Sequence, residues 1–205
     1  MLSICIPTRD NVPIGFAMSL ANLTARLTRD GIPYSVHIIM GSLISDLRTQ
    51  LVKDAIKTGN EHILWLDSDM HFPSDVFLKL KNHKKDIVAA TYSTRCKPQR
   101  SVAFTDEDDM NFRLTHTTGI HEVFAVGMGC MLVKTDVYKK LKAPWFSLEW
   151  DPTEEKFTGE DMFFCKIANY AGYTVYVDAD LSNTLGHYGT KIYTLGETHE
   201  YRSEI

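Results

Sequence analysis

Residues 1–92 alternate short apolar runs with amphipathic stripes, and this alternation limits what the chain can become. LSICIPT, YSVHIIM, HILWL and DIVAATY read as strands, and the segments between them carry apolar residues at helical spacing. The first helix is expected from about Pro13 to near Gly31, with Phe16, Leu20, Leu23 and Leu27 as its stripe. The second is expected from Ser42 to Lys57, with Ile44, Leu47, Leu51 and Ala55 inward and Gly59 as its stop. A short third helix is expected from about Ser74 to Asn82. Strands joined through helices form βαβ units, so a mostly parallel sheet covered on both faces follows.

Beyond Tyr92 the pattern loosens into a polar loop, STRCKPQR, and short strand candidates at Val102–Phe104, Phe112–Thr115 and Glu122–Val126, with an acidic turn at Asp106–Asp109. These suggest a small antiparallel region. VGMGCMLVKTDVYKKL then reads as a glycine turn, a strand and a short helix, a further helix starts near Thr158, and YTVYVDAD supplies a last strand. The expectation is one Rossmann-like α/β/α domain over residues 1–205, in halves 1–92 and 93–190 with a tail at 191–205. With 44% hydrophobic and 11% aromatic residues, 205 residues can bury a substantial core.

Charge and cysteine usage exclude several classes of function. Lys and Arg number 22 against 26 Asp and Glu, a net charge of −4, which gives no global attraction to nucleic acid or membrane surfaces. No stretch approaches the roughly 18 apolar residues of a membrane span. The sequence opens directly in LSICIPT without a basic start, apolar stretch and small-residue cleavage site, so no secretory leader is expected. Cys5, Cys96, Cys130 and Cys165 are scattered without a C-x-x-C pair, which argues against a zinc knuckle and for reduced thiols in a cytoplasmic protein.

Four motifs carry candidate chemistry. Asp67-Ser68-Asp69 puts two carboxylates one residue apart where HILWL runs out, and alternation along a strand points both the same way. Two hard oxygen ligands suit Mg²⁺ or Mn²⁺, ions that keep places open for water and substrate phosphates. Thr158-Gly159-Glu160-Asp161 opens a helix, with Thr158 as N-cap, Asp161 in a capping-box position, and Phe163, Phe164, Ile167 and Ala171 facing inward as far as Gly172. One acid can cap while the other accepts a proton from a hydroxyl. His187 stands in a glycine-flanked loop, where a neutral imidazole can join carboxylates around Mn²⁺. Gly127 and Gly129 admit close backbone approach to a ligand, or form a bulge. Trp145, Phe146 and Trp150 read as core ahead of a sugar platform, and Arg95, Lys97 and Arg100 as a solvated basic loop ahead of phosphate ligands.

The order IPTRD, DSD, VGMGCMLV, TGED and GHYG resembles the nucleotide-sugar glycosyltransferases of the A-type fold over roughly residues 2–190, in a compact bacterial or phage-like form. The resemblance implies Asp69, Asp67 and His187 as ligands of a Mn²⁺ or Mg²⁺ ion on the donor diphosphate. It implies Pro7, Thr8 and Arg9 near the nucleotide, with Arg48 helping to hold it; Ser68 of the acidic triplet, Gly127 and Gly129 are further candidates for binding the donor. Asp161 matches the base of inverting members, with Glu160 beside it. The implied partners are a nucleoside-diphosphate sugar, a UDP-sugar foremost, and a hydroxyl acceptor. The acidic balance disfavours a modified base in DNA as that acceptor without removing it. A retaining course stays open, because no separate nucleophile is identifiable. Alternatives are a binding module without turnover and a haloacid-dehalogenase-like phosphatase. In the latter the acidic motif ends the first strand, whereas here it ends the third. A sugar nucleotidyltransferase would need a glycine-rich basic loop after the first strand, which IPTRDNVP does not supply.

Overall fold

The protein is described from a computed structural model covering residues 1–95, 99–106, 118–152 and 155–189. Phe112–Thr115, most of the acidic turn, Cys96, Lys97 and the tail at 191–205 lie outside the described residues. The first half runs β1 (Leu2–Thr8), α1 (Ile14–Arg29), β2 (Tyr34–Met40), α2 (Ile44–Thr58), β3 (His62–Leu66), β4 (Met70–His71), α3 (Val76–Asn82) and β5 (Ile87–Ala89). The second runs β6 (Ala103–Phe104), β7 (Ile120–Val123), β8 (Ala125–Val126), β9 (Cys130–Lys134), α4 (Thr135–Lys140), β10 (Glu149–Asp151), β11 (Lys156–Thr158), α5 (Glu160–Tyr170), β12 (Val175–Asp178), α6 (Ala179–Ser182) and β13 (Gly186–His187).

A seven-stranded sheet of order β2-β1-β3-β9-β5-β12-β7 forms the centre. β1 pairs parallel with β2 and β3, and β5 with β12. β9 is antiparallel to both β3 and β5, so those two run the same way and the sheet is mainly parallel, as the alternation requires. The pleat sorts side chains onto two cores. Cys5, Ile63, Trp65, Met131 and Val133 face one layer with α2, α4 and α5, while Ile4, Ile6, Leu64, Leu66 and Leu132 face the other with α1 and α3. Burial on both faces explains why β1, β3 and β5 are near-continuous apolar runs, broken only by Ser3, Thr8 and His62.

Local signals account for most boundaries. Gly59 closes α2 in the left-handed conformation at φ 71°, which only glycine adopts without penalty. Phe16, Leu23 and Leu27 bury the inner face of α1 as the stripe requires, with Leu20 partly covered. In α2 the stripe holds at Leu51 and Ala55, but Ile44 and Leu47 at its open end stay half-buried. The Glu122–Val126 candidate divides: β7 joins the main sheet beside β12, and β8 pairs with β6 in a separate two-stranded sheet. No helix of the described residues is long and apolar enough to cross a membrane.

Candidate active site

The carboxyl end of β3 opens into a cavity of about 440 Å³, a size suited to a small-molecule ligand. Asp67 donates its backbone N–H to the Gly129 carbonyl at 3.0 Å, and Met70 donates to the Asp67 carbonyl at 3.1 Å. The chain therefore turns after Leu66 instead of continuing as a strand. Asp67, Ser68 and Asp69 all reach the cavity through this turn, a different reason from the alternation expected of an extended segment. Pro7, Thr8 and Arg9 at the end of β1 line the same cavity, as parallel pairing of β1 with β3 demands.

Arg48 enters from α2 and is 2% exposed. Its Nη2 donates to Asp67 Oδ1 at 2.8 Å and its Nε to Glu160 Oε1 at 3.1 Å, while the guanidinium lies over the Trp65 ring. Burial alone would lower the Arg48 pKa, but Asp67, Glu160 and Asp161 around it drive the net shift upward. Burial pushes the Asp67 carboxyl up and the Arg48 charge opposes it, leaving a net rise. Two polar atoms of cavity-lining residues, Thr8 Oγ1 and Arg48 Nη1, are buried with no hydrogen-bond partner. Such atoms cost about 1–3 kcal/mol each when left unmatched, so a ligand that meets them gains that much.

Glu160 and Asp161 form the first turn of α5 and complete the cavity wall. Thr158 does not cap this helix: it ends β11, and extended Gly159 takes the N-cap position. Asp161 instead accepts from the neighbouring Met162 N–H at 2.9 Å. The buried side chains are Met162, Phe164, Cys165 and Ala168, because starting at Glu160 turns Phe163 and Ile167 to the flank and puts Ala171 outside the helix. Burial, reinforced by the Glu160 charge, raises Asp161 to about 6 against the opposing pull of Arg48 and the Met162 N–H.

His187 comes up to Asp69 because β13 pairs antiparallel with β4, which follows directly on the acidic turn, but it is not among the residues lining the cavity. Its Nδ1–H donates to the Ser93 carbonyl at 3.0 Å, and its Nε2 lies 3.5 Å from Asp69 Oδ2. The Asp69 contact raises His187 more than burial lowers it. Burial alone would raise Asp69, but His187 and Arg95 hold it below the usual carboxylate range. Asp69 thus faces His187, whereas Asp67 is turned onto Arg48. Among the described residues no group of three or more His, Cys, Asp or Glu is gathered closely enough to hold a metal ion.

Gly127 and Gly129 are buried and are not among the residues lining the cavity. The space beside them is filled by Tyr92: a Cβ on Gly129 would stand 2.6 Å from Tyr92 Cε1, and one on Gly127 2.6 Å from its hydroxyl. Tyr92 in turn meets the His187 ring edge-on, centroids 4.9 Å apart, so the two glycines reach the site only through Tyr92. Trp145 and Phe146 belong to the core, as expected, but Trp150 is exposed and pairs with Phe157 across the β10–β11 hairpin.

Arg95 is a cavity-lining side chain that sequence reading undervalued. It lines the cavity, and its Nη1 lies 3.1 Å from Asp69 Oδ2 and 3.1 Å from the Tyr188 carbonyl. The available signal was its place just after DIVAATY, at the carboxyl end of a parallel strand, where α/β sheets bind ligands.

No protein-family model matches the sequence, and no curated protein matches it. Among solved structures, A197 from STIV is similar with a TM-score of 0.59 and 15% identity, covering 95% of this chain and 97% of that one. A mutant of Drosophila beta-1,4-galactosyltransferase 7, solved with manganese, UDP-Gal and xylobiose, is similar with a TM-score of 0.54 and 12% identity, covering 97% of this chain and 79% of that one. At these identities the likeness is one of fold. The chain shares the mixed α/β architecture, with a mainly parallel central sheet, of a glycosyltransferase structure.

Proposed function

We propose that this chain is a divalent-metal-dependent glycosyltransferase that moves a sugar from a nucleoside-diphosphate sugar, a UDP-sugar foremost, to a hydroxyl acceptor. The observation that carries the reading is one cavity in which the end of β1, the Asp67-Ser68-Asp69 turn and the acids of α5 meet, with Asp161 raised to about 6. The fold shared with a structure that holds UDP-Gal and manganese supports the same classes of donor and ion here.

Asp69 and His187 are brought together as two protein ligands, fewer than a closed metal site needs, and Mn²⁺ or Mg²⁺ commonly takes the rest of its coordination from substrate phosphates and water. His187 is fixed through Nδ1–H on a backbone carbonyl, which directs Nε2 toward Asp69, the outer-layer support that metal-binding histidines use. Asp69 and His187 would hold the ion, whereas Asp67, expected as a third ligand, is held on Arg48. When bound, the ion supplies Lewis-acid stabilisation of the charge that develops on the departing diphosphate.

The chain's own groups do the rest. Thr8 Oγ1 and Arg48 Nη1 gain from the nucleotide the partners they lack, and Pro7 and Arg9 border it. Asp161, ionised at neutral pH because about 6 lies below 7, accepts the acceptor hydroxyl's proton as the oxygen attacks the anomeric carbon. Arg48 holds Glu160 and Asp67 through its two ion pairs.

The test is release of nucleoside diphosphate from UDP-, GDP-, CDP- and dTDP-sugars with and without Mn²⁺, across hydroxyl acceptors. One donor class is turned over in Mn²⁺ only, and Asp161→Asn retains donor binding while losing about a hundredfold or more in transfer. Full transfer by Asp161→Asn removes it as the base.

A further inference from the structure

We propose that Arg95 is a diphosphate-binding residue which the free protein holds on Asp69, so that cation and diphosphate enter together as the guanidinium passes from carboxylate to phosphate. This rests on the donor reading above and adds a residue and an order of events to it.

Arg95 and His187 address the same oxygen. Arg95 Nη1 is 3.1 Å and His187 Nε2 3.5 Å from Asp69 Oδ2, so a cation held between Asp69 and His187 would lie beside Arg95. A divalent ion placed there meets a guanidinium of like charge at contact range, so one of the two must leave. Arg95 is the one that can. Its side chain is 54% exposed, and it extends from a ribbon in which Val102 N–H donates to the Tyr92 carbonyl and Thr94 N–H to the Arg100 carbonyl. Arg48 is the contrast: with 3% side-chain exposure and two carboxylate partners, it is fixed.

The displaced guanidinium stays at the cavity wall, where the donor's diphosphate arrives with the ion. A planar fork of N–H donors matches phosphate oxygens bidentately, a stronger arrangement than a single half-exposed contact to a carboxylate. Metal alone must therefore evict Arg95 without compensation, whereas metal with diphosphate offers it a better partner. The two ligands become positively coupled through one side chain.

Coupling of this kind gives effects of opposite sign, which a purely structural role for Arg95 does not. Calorimetric titration of Arg95→Gln with Mn²⁺ alone is expected to show binding about two- to fivefold tighter than wild type, the range for losing one exposed ion pair. Titration with UDP, GDP, CDP and dTDP in Mn²⁺ is expected to show the accepted nucleotide bound roughly tenfold or more weaker. Arg95→Lys, which keeps the charge without the fork, should retain wild-type Mn²⁺ affinity and recover only part of the nucleotide affinity. Losses of both affinities together in Arg95→Gln would show that Arg95 only braces the Tyr188 segment, and unchanged affinities would remove it from the site. Either result overturns the exchange and leaves the donor reading standing. A wild type that binds neither Mn²⁺ nor any of the four nucleotides overturns both.

Discussion

Arg48 donates to Asp67 across 2.8 Å from inside the protein, and its other arm reaches Glu160, 112 positions away in the sequence. One guanidinium thereby joins the end of β3 to the mouth of α5. The acids at the end of β3 and at the mouth of α5 are held relative to each other by a buried cation.

Removing that link should be felt in stability. Arg48→Met leaves two partly buried carboxylates without their shared cation, and breaking such a pair costs about 3 kcal/mol. Urea unfolding checks this. Adding Asp67→Asn to Arg48→Met should restore part of the loss, since one of the orphaned charges is then gone.

The elevated Asp161 carboxyl makes opposite demands on catalysis and stability. Below about pH 6 it is protonated and cannot accept a proton, so transfer should fall about tenfold per unit on the acid side, measured at saturating Mn²⁺. Arg48 opposes the rise, so Arg48→Met should move this limb to higher pH.

Stability runs the other way. A carboxyl whose folded pKa lies above its unfolded 3.8 favours folding most when protonated, and that advantage is lost as pH rises through about 6. Asp161→Asn, which cannot ionise, should therefore be more stable than wild type at pH 8 by roughly 1–3 kcal/mol. The gain should vanish near pH 4. An equal gain at both pH values would contradict the burial of this group as the cause.

Gly129→Ala tests the layer behind His187. The new methyl would press on the Tyr92 ring, which must shift, and overpacking of this kind costs about 1–3 kcal/mol. Because Tyr92 abuts His187, Mn²⁺ binding should weaken along with thermal stability. A variant with normal stability and normal Mn²⁺ affinity would show that Tyr92 does not support the imidazole.

The β/α alternation and HILWL as a strand were legible because each rests on periodicity within a few residues. The place of β9 was not. Its strand character is plain in CMLVK, but its insertion between β3 and β5 is decided by which apolar face needs covering, and no local signal carries that. Thr158 misled because Ser and Thr are strong N-caps, yet pairing with Glu149 across the β10–β11 hairpin claims it for a strand. Arg95 looked like one more solvated cation, since its partner Asp69 meets it only when the ribbon after β5 folds back over the acidic turn. Gly127 and Gly129 read as places for close approach to a ligand or as a bulge, and the side chain packed against them is Tyr92.

The most direct test of the central claim is the thermal shift of wild type and Asp69→Ala with UDP-, GDP-, CDP- and dTDP-sugars, each with and without Mn²⁺. A ligand that binds only the folded state raises the melting temperature, by an amount worth about 2.7 kcal/mol at a hundred times its dissociation constant. The account predicts a Mn²⁺-dependent rise with one nucleotide class in the wild type and its loss in Asp69→Ala. No rise with any sugar nucleotide, or an equal rise in Asp69→Ala, would contradict it.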